Sequence, residues 1–144
     1  MFIKDKTAVV TGAGSGIGRA VAVELAQRGA GTVAMVDRCD AVRQVASTIN
    51  APDEGRARAI PFVGDVTDDA FRGAVLDEIT TKYGVPSICV PAAGITRDKL
   101  AVRLDKETGT AILYPMEDFM QVLKVNLVAP TYWALEMVGS YGRT

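Results

Sequence analysis

The 144 residues carry 16 Lys and Arg against 17 Asp and Glu, a formal charge of −1, and 49% of them are hydrophobic. This balance excludes the low-hydropathy, highly charged regime of disordered chains and gives a polyanion such as nucleic acid little to bind. With no histidine and only two cysteines, Cys39 and Cys89, zinc sites of the Cys/His type and all histidine-based triads are excluded, so no metal is expected.

A chain of this length suits one domain that buries about two-thirds of its unfolded surface. Met1 to Lys6, with Lys4, Asp5 and Lys6, is too polar for a signal sequence, and no later stretch approaches the ~20 apolar residues of a membrane span. The expectation is a cytoplasmic protein without membrane contact, whose thiols are small core or loop residues rather than a disulfide.

In chain order, Thr7 to Thr11 is an apolar run, followed by Ile17 to Arg28 with Ile17, Ala20, Val21 and Leu25 at helical spacing. Thr32 to Val36 is a second run that ends at Asp37, and Val42, Val45, Ala46 and Ile49 form a helical stripe that Asp40 can cap. A polar turn with Pro52, Asp53, Glu54 and Gly55 leads to a strand through Ile60, Phe62 and Val63. Thr67, Asp68 and Asp69 open a helix with Phe71, Val75, Leu76 and Ile79 inward. Ser87 to Pro91 is a fourth strand. Residues 100–114 alternate as a small β-hairpin, which serves either as a surface excursion or as a flap. Pro115, Glu117 and Asp118 then start a long helix carrying Phe119, Val122, Leu123, Leu127, Leu135 and Val138. Pro130 lacks the N–H that would bond the Asn126 carbonyl, so the helix should bend there. Strands alternating with helices predict an α/β fold with a parallel sheet.

Between the first strand and first helix lies Thr11-Gly12-Ala13-Gly14-Ser15-Gly16-Ile17-Gly18. Glycines let the backbone approach a ligand, and a helix start offers unpaired N–H groups, so a pyrophosphate is the natural guest. No Gly-Lys pair occurs in the chain, which excludes a Walker loop. Ile17 stands where the long-chain dehydrogenase pattern needs its third glycine.

Read as T-G-x-x-x-G-I-G, the loop resembles the signature of short-chain dehydrogenases/reductases. Asp37, followed by Arg38, is similar to the family's ribose-binding acid; Asp65-Val66 to its adenine-facing pair; and Ala92-Ala93-Gly94 to the end of its Asn-Asn-Ala-Gly motif, with Pro91 and Ala92 in place of both asparagines. Asn126 resembles the family's active-site asparagine. The resemblance implies a Rossmann doubly wound sheet in strand order 3-2-1-4, truncated to about four strands, with residues 1–144 as one partial NAD-binding domain. It implies NAD rather than NADP, held by Gly12, Gly14, Ser15, Gly16, Ile17, Gly18, Asp37, Arg38, Asp65, Val66, Ala92, Ala93 and Gly94. A small alcohol or ketone would be the substrate of the intact form, and the last helix, an assembly surface in the family, implies a homo-oligomer.

The family also needs a Tyr with a Lys four residues later, and a Ser on the fifth strand. Here Tyr83, Tyr114 and Tyr132 are followed at that spacing by Ser87, Asp118 and Glu136, so the chain alone is expected to be catalytically silent. Two alternatives remain: a non-catalytic NAD-binding or oligomerising module, and an S-adenosylmethionine-dependent methyltransferase using Gly12, Gly14, Gly16 and Asp37.

Overall fold

The computed structural model describes residues 2–51 and 58–143, so the turn expected at Pro52 to Gly55 lies outside the described residues. Strands β1 (Thr7–Thr11), β2 (Thr32–Asp37), β3 (Arg58–Val63) and β4 (Ile88–Pro91) form one sheet in the order β3-β2-β1-β4. Its pairs are all parallel, with Val9 opposite Ala34 and Cys89. This is the α/β sheet the alternation predicts. Pro61 sits in β3 without breaking the ladder because β3 is an edge strand.

Both sheet faces are covered, which is why the central strands read as unbroken apolar runs. Successive strand side chains point to opposite faces. Ala8, Val10, Val33 and Met35 therefore pack with α1 (Gly16–Gln27) and α2 (Ala41–Asn50), while Val9, Ala34 and Val36 pack with α3 (Asp69–Tyr83) and the last helix.

The face of α1 and the cap of α2 differ from those expected, and the start of α3 agrees. In α1 the buried residues are Gly18, Ala22, Leu25 and Ala26, and Ile17 is 78% exposed; the true stripe is rotated because small residues, not the largest ones, fit against β1. Asp40 precedes α2 but makes no side-chain capping bond, since its carboxylate instead takes the Arg43 Nε at 2.7 Å. Asp68 does cap α3, accepting the Phe71 N–H at 3.0 Å.

Arg72 is buried beside Val75, Leu76 and Ile79. Its guanidinium bonds Glu136 at 2.6 Å and Asp69 at 3.0 Å and lies over the Tyr132 ring. Burial alone would depress its pKa, but the bonds to these two carboxylates outweigh that and raise it.

The hairpin is present as β5 (Val102–Leu104) and β6 (Ala111–Leu113), paired antiparallel. Asp105 organises its turn by accepting from Glu107 and Thr108, bonds that hold its carboxyl below the ordinary aspartate range. Both strands are exposed throughout.

The long helix runs as α4 (Met116–Leu123), a π-turn over Lys124–Val128, and α5 (Ala129–Ser140). Just before Pro130, where a bend is expected, the helix widens into that turn, in which the Ala129 N–H reaches the Lys124 carbonyl. The inward residues are Ala129, Trp133 and Ser140, whereas Phe119, Leu127, Leu135 and Val138 are all more than half exposed. Val122 and Leu123 of the expected stripe are half-buried. α5 is apolar on nearly every side and gives periodicity nothing to select, so there the stripe residues Leu135 and Val138 fall on the outer face.

Candidate functional site

The carboxyl ends of all four sheet strands open onto one cleft of about 510 Å³. It is lined by Gly12, Ser15, Gly16, Ile17 and Gly18 after β1, Asp37 and Arg38 at the end of β2, Gly64 to Val66 after β3, and Ala92 to Ile95 after β4. Ligands of open α/β sheets bind outside the carboxyl ends of the strands, where the strand order reverses. Here that point lies between β1 and β4.

Local packing explains the glycines. Gly12 has φ +67° and lies against the next loop so closely that a Cβ would stand 2.8 Å from the Ala93 backbone. The Ala93 N–H donates to the buried Thr11 hydroxyl at 3.2 Å, which ties the first loop to the fourth. Gly18 lets the first turn of α1 pass over the Gly12 carbonyl. Ser15, at the N-cap, makes no side-chain capping bond, and the first turn holds no acid. The start of α1 thus faces the cleft with its N–H dipoles uncompensated by a side chain, a setting that favours an anion.

Gly14 alone among the expected cofactor residues does not line the cleft. It lies behind Asp37, whose Oδ2 accepts the Gly14 N–H at 2.9 Å while Oδ1 accepts the Cys39 N–H at 2.9 Å. The carboxylate is thereby fixed at the mouth of the β2 end, with Arg38 beside it. Cys39 and Cys89 are free thiols, and burial raises the pKa of Cys89.

The loop after β3 is equally constrained. Asp65 Oδ1 accepts the Thr67 N–H and the Thr67 hydroxyl, both at 2.8 Å, and these bonds hold the carboxyl below the usual aspartate range. Gly64 donates its N–H to the Asp37 carbonyl, and a Cβ there would run into the Phe71 ring at 2.5 Å. Ala92, Ala93 and Gly94 line the cleft without a polar side chain, so only their backbone can bind.

Asn126 sits in the π-turn but does not line the cleft. Its Oδ1 accepts the Ile95 N–H at 2.9 Å and its Nδ2 donates to the Ile95 carbonyl at 2.8 Å, so both ends of the amide grip one residue of the β4 loop. Its neighbour Val125 lines the cleft, as does Gln121.

Sequence reasoning gave no role to Thr11, Ile95, Gln121, Val125 or Trp133. Thr11 could have been found, because it opens the glycine signature; the others carry no pattern of their own. The tyrosines stand apart from the cleft lining, and the Tyr114 hydroxyl donates to the Arg97 carbonyl.

Residues 6–140 match the family model described as short chain dehydrogenase. The chain belongs to the short-chain dehydrogenases. It is 38% identical over 104 residues to the 3-oxoacyl-(acyl-carrier-protein) reductase FabG of Pseudomonas aeruginosa, covering 72% of this chain and 41% of that protein. It is 34% identical over 130 residues to a (3R)-3-hydroxyacyl-CoA dehydrogenase of Mus musculus, covering 87% and 46%. A short-chain type dehydrogenase/reductase of Mycobacterium marinum superposes with a TM-score of 0.75 at 29% identity over 96% of this chain and 49% of that one. This short-chain dehydrogenase chain therefore spans less than half the length of these relatives. Among its described residues, no helix is long and apolar enough to cross a membrane, and no group of three or more Cys, Asp or Glu is placed to hold a metal ion.

Proposed function

We propose that the cleft binds NAD in preference to NADP, and that these 144 residues form the cofactor-binding part of an enzyme acting on an alcohol or ketone. The observation that carries this reading is the fixed Asp37 carboxylate at the β2 end of a cleft whose β1 end is a glycine loop and an uncapped helix start. The start of α1 suits a pyrophosphate, and Asp37 suits the vicinal hydroxyls of an adenosine ribose. Asp65 and Val66 suit the adenine edge. A 2′-phosphate beside Asp37 would meet like charge, which Arg38 offsets only in part.

The bound nicotinamide would supply or accept hydride. These residues bind and orient; Asn126, through Ile95, is a positioning residue for the β4 loop. No Tyr stands four residues before a Lys in the 144 residues, so the chain by itself holds no tuned proton donor for the substrate oxygen and turns over no substrate. The relatives' names make 3-oxoacyl and 3-hydroxyacyl thioesters the first substrates to try for the longer enzyme. The exposed outer face of α4 and α5 supports homo-oligomerisation and keeps the oligomerising-module reading in view. No observation favours S-adenosylmethionine.

The test is calorimetric titration with NAD, NADP and S-adenosylmethionine, with turnover assayed in parallel. NAD should bind about tenfold tighter than NADP, a difference of about 1.4 kcal/mol, and Asp37→Ala should close most of that gap. Equal affinities in the parent chain, or turnover by the chain alone, would refute the corresponding half of the reading.

A further inference from the structure

Trp133 is the sole tryptophan of the chain and the largest of its fully buried side chains. It lies on α5, 67 residues from the partner of its indole: the Nε1–H donates to the Val66 carbonyl at 3.0 Å, a bond buried on both sides. Val66 lines the cleft beside Asp65 and also packs in the cluster that contains Trp133, Val75, Leu76 and Ile79.

The loop from Gly64 to Asp68 is otherwise held largely by itself. Thr67 bonds Asp65, and the Asp68 N–H bonds the Asp65 carbonyl. At its far end Asp68 opens α3, its side chain accepting the Phe71 N–H and its carbonyl the Arg72 N–H. Among the described residues, two further hydrogen bonds tie the loop to other elements, one from the Gly64 N–H to the Asp37 carbonyl and the other from Trp133. The first sets where the loop leaves β3. The second sets the orientation of the peptide after Val66, and with it the direction in which the Asp65 carboxylate faces the cleft. Loss of the indole N–H leaves a buried carbonyl without a partner, so the loop must shift to find one.

We infer that Trp133 is a positioning residue for purine recognition, holding the Asp65-Val66 loop against the base through the Val66 carbonyl. This rests on the dinucleotide reading of the cleft and deepens it: α5, packed on the sheet face with Val9, Ala34 and Val36, supports the base-reading loop from beneath. Asp65 Oδ1 is taken by Thr67, which leaves Oδ2 to accept from the exocyclic amine of adenine. Hypoxanthine presents an oxygen there and is repelled.

The experiment compares NAD with nicotinamide hypoxanthine dinucleotide on the parent chain and on Trp133→Phe, which keeps an aromatic ring and removes the donor. The parent should bind NAD about tenfold tighter than the hypoxanthine analogue, and Trp133→Phe should reduce that ratio to about twofold or less. A variant that binds both ligands more weakly with the ratio unchanged would overturn the inference, because a merely structural role lowers both alike. A parent that binds both equally would overturn it as well. A parent that binds neither would overturn the dinucleotide reading itself, a result distinguishable from the other two. Trp133 emission in the parent chain is an independent readout that needs no variant: AMP should shift or quench it, and an unchanged spectrum at saturating AMP would overturn the inference.

Discussion

Three glycine-to-alanine substitutions separate backbone strain from steric overlap in the phosphate loop. Gly12 and Gly16 both have positive φ, at +67° and +51°, so alanine pays a left-handed penalty of about 1–2 kcal/mol at either site. They differ in what the new methyl meets. At Gly16 nothing lies within 4 Å, whereas at Gly12 the Cβ would stand 2.8 Å from the Ala93 Cα and N and 2.9 Å from the Ala92 carbonyl carbon. Those are backbone atoms, which cannot rotate away, so overpacking adds about 1–3 kcal/mol. Gly12→Ala should therefore cost about 2–5 kcal/mol in total and Gly16→Ala only about 1–2. Gly73 is the control: it sits inside α3 with open space around it, and Ala there should stabilise by about 0.5–1 kcal/mol. Urea denaturation of the three variants measures the differences, with constant m-values as the check on two-state behaviour. If Gly12→Ala and Gly16→Ala were equally destabilising, the close approach of the first and fourth loops would be refuted, whatever the φ penalties.

Asp65 titrates below the ordinary range because the Thr67 N–H and hydroxyl favour its charged form. A depressed carboxyl contributes stability that is complete above its unfolded pKa and lost as pH falls through the lowered one. Thr67→Val removes one of the two bonds and should move that loss to higher pH, as read from the NMR titration of the Asp65 carboxyl carbon; an unmoved titration would dismiss the hydroxyl. Arg72→Ala should destabilise by about 1–3 kcal/mol by removing the partner of half-buried Glu136, and Arg72→Met with Glu136→Leu by less, since an ion pair with a buried member is costly mainly to break. A parent-like urea midpoint for Arg72→Ala would mean that the pair is idle. Light scattering should find self-association through the outer face of α4 and α5, where Phe119, Leu127, Leu135 and Val138 are exposed, or through the open β4 edge. A monomer at all concentrations would refute both surfaces.

Several elements could be read from the chain because their causes are local. The strands β1, β2 and β4 follow from short apolar runs, and the hairpin from its alternation around Asp105 and Gly109. The glycine loop is legible because Gly12 has the positive φ that the strand-to-helix turn requires and Gly18 meets the Gly12 carbonyl a turn earlier, although the approach of Gly12 to Ala93 is a long-range contact. Helix faces were less legible where size misleads. Ile17, a large apolar residue at the start of α1, points into the cleft, and Gly18 and Ala22 take the buried positions. In α5, Trp133 and Ala129 face inward while Leu135 and Val138 remain outside.

What the sequence determined by itself was the alternation of strands and helices, because apolar runs and their spacing are local, and the glycine signature that carries the resemblance to the family; the strand order 3-2-1-4 came only as what that resemblance implies. The tertiary structure alone decided how distant side chains hold the residues at the carboxyl ends of the strands. Asp37 reaches back to the Gly14 N–H, Thr11 takes the Ala93 N–H, Asn126 grips Ile95, and Trp133 supports Val66. Each is a hydrogen bond between segments 23 to 82 residues apart. Such bonds depend on where packing brings two backbones together, and neither partner's local sequence records that placement. The buried Arg72 belongs with them: its charge reads as solvent-facing until α5 supplies Glu136.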